Sequence, residues 1–207
     1  MTDGLAGKVA LITGAGQGIG QGIAFSLAKR GVKVVAVGRT LSKCDNTVAQ
    51  IKERFGQEAL AIECDISNLD QLPGVVEQTV NAFGRLDILV NNAVSATIKP
   101  LIALELEEIN RAMVTGPTAT LLMMQAAYPH LKANGGSIIN MASSAAKRWD
   151  MTNYGLYAAE KEAIRALTRT AASEWGKHNI RANCILPHAK SPALAWWTEN
   201  RPEEAAA

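Results

Sequence analysis

Tyr157 and Lys161 stand four residues apart in YGLYAAEK, with Tyr154 a further three upstream. On a helix these spacings are one turn and two turns, so the three side chains can share a face. A free phenol has a pKa of about 10 and is a poor base near neutrality. A neighbouring ammonium favours the phenolate. Lowering the pKa by roughly 3 units takes about 4 kcal/mol of differential interaction. A lysine one turn away can contribute to that, so the pair suits proton transfer at a substrate oxygen. The same spacing also suits a plain amphipathic helix, and only the surrounding elements can decide.

A second group of residues suits an anion. Thr13 to Gly20 reads TGAGQGIG, between an apolar run and a helical pattern. Glycines at positions 14, 18 and 20 allow a tight backbone and close approach of a phosphate. The following helix start offers free N–H groups and the positive end of its dipole. The spacing is TGxxxGxG, and the lysine of an ATP-binding P-loop is missing. At the end of the next apolar run the sequence is AVGRT. An acidic residue there would accept from a ribose 2′-OH and favour NAD. Gly38 supplies no carboxylate, and Arg39 offers a guanidinium fork for a 2′-phosphate. This balance predicts NADP(H), with NAD the alternative. Gln17 adds no second positive charge within the loop.

The elements that would position these residues alternate along the chain. Strands are predicted at KVALIT, VKVVAV, EALAIECD, RLDILVNNA, GSIINMAS and IRANCILP. Helices are predicted at QGIAFSLAKRG, ending at Gly31, at LSKCDNTVAQIKERFG, and at LDQLPGVVEQTVNAFG with Pro73 in the first turn. A long helix follows from Leu104 to Ala133, bent at Gly116-Pro117. The most regular helix runs through YGLYAAEKEAIRALTRTAASEWG. Short, continuously apolar strands between helices argue for a parallel sheet covered on both faces. The expected class is a three-layer, doubly wound α/β fold with strand order 3-2-1-4-5-6. Residues 1–207 are read as one domain.

Composition excludes several functions. The net charge is +2 and the charges are dispersed, which gives no basic field for nucleic acid or a membrane surface. Cys44, Cys64 and Cys184 lie far apart, so neither a disulfide framework nor a zinc site is expected. No histidine has a metal-like cluster around it. The first residues lack a basic n-region, and no run approaches about 18 uninterrupted apolar residues. A cytoplasmic location is the expectation.

Taken in order, the motifs resemble those of the short-chain dehydrogenases/reductases, from Lys8 to about Pro187. The matching features are TGAGQGIG, CDIS after strand three, NNA after strand four, a serine after strand five, YAAEK and IRANCILP. The resemblance implies a Rossmann-type fold and an NADP(H)-dependent oxidoreductase interconverting a ketone or aldehyde and an alcohol. It implies cofactor contacts at Gly14, Gln17, Gly18, Ile19, Gly20, Arg39, Asp65, Ile66, Asn91, Ala93, Lys161 and Pro187. Asp65 would bind the adenine amino group and Ile66 would lie beside the ring. Tyr157 would be the general acid/base, while Lys161 would hold the nicotinamide ribose and lower the tyrosine pKa. A serine would hydrogen-bond the substrate oxygen. Its position three after Asn140 favours Ser143; the family's serine-to-tyrosine spacing favours Ser144. A homodimer or homotetramer paired through the long fourth and fifth helices is also implied.

Several positions depart from the family pattern. Met113 stands where an asparagine usually completes a proton relay, and Asn110 is near it in sequence. Val94 replaces a glycine after NNA, and His188 replaces one after Pro187. Ser191 lies close to the place of a cofactor-contacting threonine. Family members usually continue through a lid helix and a seventh strand. Here the lid region is expected to begin about residue 188 and to be incomplete, with Trp196 and Trp197 at its start and the seventh edge strand absent. These departures keep two alternatives open: an NAD-dependent alcohol dehydrogenase, and a nucleotide-binding protein of this fold with weak or no catalysis.

Overall fold

VALIT has no charged residue and one terminal hydroxyl; it forms β1 (Val9–Thr13), buried at every position. The computed structural model describes residues 4–148 and 152–187, with Ala195, Thr198 and Glu199. After β1 come α1 (Gly18–Ala28), β2 (Lys33–Gly38), α2 (Leu41–Phe55), β3 (Ala59–Glu63), α3 (Leu72–Phe83) and β4 (Ile88–Asn91). Then follow α4 (Leu106–Met113), α5 (Ala119–Asn134), β5 (Gly136–Met141), α6 (Gly155–Trp175) and β6 (Ile180–Ile185).

The strands form one parallel sheet in the order β3-β2-β1-β4-β5-β6, as the alternating pattern predicts. Period-two alternation sends neighbouring side chains to opposite faces. Leu11, Val35, Val37 and Leu89 join a core with Val75 and Val76 of α3, Met123 and Leu131 of α5, and Ala171 of α6. Ala10, Ile12, Val34, Ala36 and Val90 join Ala24 and Ala28 of α1 and Ile51 of α2 in a second core. The sheet is thus the middle of three layers. The chain reverses its direction of growth between β1 and β4, so a crevice opens at their carboxyl ends.

Two helices differ from the sequence expectation. α1 starts directly from the glycine loop at Gly18 and ends at Ala28, short of Gly31. The long bent helix resolves into α4 and α5 joined by a π-helical turn, Val114–Thr118, with Pro117 inside it. Proline has no N–H to donate and its ring crowds the carbonyl one turn back, so the local winding widens.

Candidate active site

The glycine loop is fixed by contacts too close for side chains. Gly14 has φ 68° and Gly18 φ 59°, backbone regions that glycine adopts readily. A Cβ on Gly14 would lie 2.7 Å from Asn92 Nδ2 and 3.0 Å from Ala93 Cα. One on Gly20 would lie 2.3 Å from the Gly14 carbonyl oxygen. Asn92 Nδ2 donates to the carbonyls of Thr13 and Gly14, at 2.9 and 3.2 Å. The Thr13 hydroxyl accepts from the amides of Asn92 and Ala93, each at 3.0 Å. These bonds tie the ends of β1 and β4 together. Gln17 makes no side-chain cap and the first turn of α1 holds no acid, so the N–H groups there keep their positive potential.

A cleft of about 400 Å³ opens over this loop. Gly14, Gln17, Gly18, Ile19, Arg39, Asp65, Ile66 and Ala93 line it, eight of the twelve cofactor positions expected from sequence. Lys43, from the first turn of α2, also lines it and donates to Gln17 Oε1 at 2.8 Å. The loop therefore gains a second cation beside Arg39. Asp65 accepts from the Ser67 amide at 2.9 Å, which fixes its carboxylate at the rim. Thr115, from the π-helical turn, closes another side.

The remaining expected positions lie elsewhere. Gly20 is buried beneath the loop against Gly14. Asn91 turns into the sheet and donates to Asn140 Oδ1 at 2.8 Å; Asn140 in turn donates to Thr168 Oγ1 at 2.8 Å. It thus holds β4, β5 and α6 together beneath the site, and the loop is supported by its neighbour Asn92. Pro187 is half-buried just beyond β6 and does not line the cleft.

Ser143, Tyr157 and Lys161 gather where β5 ends and α6 begins. Ser143 hydrogen-bonds Tyr157 and accepts from the Ala145 amide at 3.2 Å. Ser144 instead opens the short 3-10 turn Ser144–Lys147. Lys161 is 3% exposed and donates from Nζ to the Met141 carbonyl at 2.8 Å. Its ammonium lies 5.7 Å from the centroid of the Tyr157 ring, and Tyr154 meets that ring edge-on at 6.1 Å.

Burial pushes Tyr157 above the ordinary phenol value; the Ser143 hydrogen bond pulls it down, and the charge of Glu160 and the nearby Tyr154 push it up. Lys161 is not among these influences, so the expected lowering by the lysine is not met in the protein alone. The ammonium is engaged with a backbone carbonyl and is itself lowered to about 8 by burial, against the pull of Glu160 and Cys184.

Sequence reasoning missed Lys43, Asn92 and Thr115. Lys43 lies one turn beyond Arg39 at the start of a predicted helix, which was a usable signal. Asn92 was hidden by its twin Asn91, since sequence does not show which of two adjacent asparagines turns inward. Met113 is 38% exposed and ends α4. His188, Ser191, Trp196 and Trp197 lie outside the described residues. Among the described residues no cluster of His, Cys, Asp and Glu could hold a metal ion, and no helix is long and apolar enough to cross a membrane.

The cradle fits a dinucleotide. Its crowded glycines bring backbone close to the cleft, the start of α1 supplies donors, and Asp65 and Ile66 stand at the rim. The profile of the short chain dehydrogenases matches residues 8–201. The chain belongs to this family. Like its relatives it is a carbonyl/alcohol oxidoreductase that uses a nicotinamide cofactor.

This short-chain dehydrogenase/reductase is 39% identical to a hydroxynaphthalene reductase-like protein of Metarhizium acridum over 183 residues, 88% of this chain and 68% of that one. It is 37% identical to a 12α-hydroxysteroid dehydrogenase of Clostridium sp. over 204 residues, 95% of this chain and 78% of that one. A short chain dehydrogenase from Burkholderia cenocepacia J2315 in complex with NADP superposes with TM-score 0.86 at 34% identity, covering 91% of this chain and 77% of that one. A 7α-hydroxysteroid dehydrogenase complexed with NADH and 7-oxo glycochenodeoxycholic acid superposes with TM-score 0.88 at 34% identity, covering 93% and 75%.

Proposed function

We propose that this chain, acting as a single domain, is an NADP(H)-dependent reductase/dehydrogenase of ketones or aldehydes and alcohols, with Tyr157 as general acid/base. The observation that carries the reading is the hydrogen bond between Ser143 and Tyr157, with the buried Lys161 one turn along α6, at the end of β5 and two strands from the glycine loop after β1. When bound, the nicotinamide supplies or accepts the hydride. In reduction, Tyr157 gives its proton to the carbonyl oxygen as negative charge develops there. The Ser143 hydroxyl holds that oxygen through a hydrogen bond. Lys161, whose ammonium lies over the Tyr157 ring, would hold the ribose hydroxyls of the bound cofactor. In oxidation the proton returns to Tyr157.

The preference for NADP(H) rests on Arg39 and on Lys43 held beside Gln17. Two cations at the cleft rim suit a 2′-phosphate, and no carboxylate follows β2 to repel it. The test is cofactor titration of the native protein and of Arg39→Asp, with a carbonyl panel that includes fused-ring ketones. Native protein should favour NADPH over NADH, and the variant should lose or reverse that preference. A native preference for NADH over NADPH would make it an NAD-type enzyme.

Met113, at the place of the relay asparagine, favours one second reading: a nucleotide-binding protein with weak catalysis. Nucleotide binding without turnover across the panel would support it. The cellular location we infer is the cytoplasm. The assembly we infer is a homodimer or homotetramer through the long α4–α5 segment and α6, supported by the exposed apolar side chains Leu106 and Met113 of α4 and the adjoining Leu101 and Ile102.

A further inference from the structure

Glu160 precedes Lys161 on α6 and takes no part in the chemistry above. It is fully buried, and neither carboxylate oxygen has a hydrogen-bond partner. Its side chain packs on the π-helical turn: a Cβ on Gly116 would lie 3.0 Å from Oε1 and 3.4 Å from Glu160 Cβ. Gly116 therefore leaves just enough room for the carboxyl. The preceding residue, Thr115, lines the cofactor cleft and is anchored through its hydroxyl to the Arg111 carbonyl at 2.9 Å. One joint thus connects a buried, unpaired acid to the cleft wall. An unpaired polar group in such a place costs free energy, and a charged one costs far more.

We propose that Glu160 is a proton-dependent positioning residue: protonated, it seats α6 on the π-helical turn and favours nucleotide binding; ionised, it loosens that joint and weakens binding. The inference rests on the nucleotide reading of the cleft. A carboxylate buried against Gly116 must draw in water or push the turn away, and either change displaces Thr115.

The surrounding charges allow this titration. Burial raises Glu160 to about 7, and Lys161 opposes the rise. The π-helical turn brings no ionisable side chain. The other elements packed on α6 bring Glu107, Glu108 and Arg111 from α4, Lys147 from the turn after β5, Lys177 and His178 after α6, and Arg181 and Cys184 from β6. None of these exerts a resolved influence on Glu160. On its own helix Tyr157 senses its charge. The sign follows from the raised value. The folded state holds the proton more tightly than the unfolded chain, so stability is fullest below the ordinary carboxylate range and is lost as pH rises through about 7.

The test compares the native protein with Glu160→Gln, a neutral near-isostere, between pH 6 and 8. NADPH dissociation constants and melting temperatures without nucleotide are measured at each pH. Titration of the 2′-phosphate is common to both proteins and cancels in their ratio. The ratio of dissociation constants, native over variant, should rise at least about fivefold from pH 6 to 8. The native melting temperature should fall relative to the variant over the same range. A ratio that stays constant while the melting temperatures diverge overturns the coupling to the cleft. Melting temperatures that stay parallel overturn the titration itself. If neither protein binds nucleotide, the reading of the cleft fails and the coupling with it, while the melting series still decides whether Glu160 exchanges its proton. Should Glu160→Gln not fold, Glu160→Met carries the same comparison.

Discussion

Ser143 and Ser144 are chemically identical, and only their surroundings separate them. Ser143 is extended and hydrogen-bonded to Tyr157, whereas Ser144 begins the next turn. Ser143→Ala should lower kcat by about 10²-fold, the range for removing one oxyanion donor, and Ser144→Ala should leave it within a few-fold. Steady-state kinetics on the two variants checks this. Lys161 sets a pH limit. Its buried ammonium, lowered to about 8, is lost as pH rises through that value. Carbonyl reduction needs both the protonated phenol and the charged lysine, so kcat/KM should fall on the alkaline side. A pH–rate profile reads it, and a flat profile to pH 9.5 would remove Lys161 from the account. At this scale the sequence supplied residue types and spacing. It did not supply orientation, which depends on contacts made by residues far away along the chain. The lysine's bond to the Met141 carbonyl, twenty positions upstream, is such a contact.

The elements were more legible than the joints between them. Six apolar runs became six strands in the expected order, because an apolar run of that length bounded by turn residues has few other places to go. The bend at Gly116-Pro117 was expected, but its form as a π-helical turn was not; proline announces a disruption without saying which winding replaces the regular helix. The join between β1 and β4 was also unreadable, since it depends on one asparagine crossing 79 positions to reach Thr13. Asn92→Ala removes both of its side-chain bonds to the glycine loop. It should cost about 1 kcal/mol of stability, the net worth of a typical hydrogen bond between part-buried groups, and should weaken nucleotide binding. Denaturant unfolding and a nucleotide titration measure the two effects.

For the molecule as a whole, the surface beside α4 suggests assembly. Ile102 is 97% exposed and Leu101 and Leu106 are each 71% exposed, a large apolar group to leave in water. The double variant Ile102→Glu, Leu106→Glu should shift the protein to a smaller species in sedimentation. An unchanged distribution would place the contact elsewhere. The central claim remains that a phenol on α6 exchanges the substrate proton. Its most direct test is NADPH oxidation at saturating carbonyl substrate by the native protein and by Tyr157→Phe, with cofactor affinity measured in parallel. The account predicts that the variant binds cofactor like the native protein and loses turnover by about 10²–10⁴-fold, the usual worth of a positioned acid/base. Equal turnover in both would contradict it.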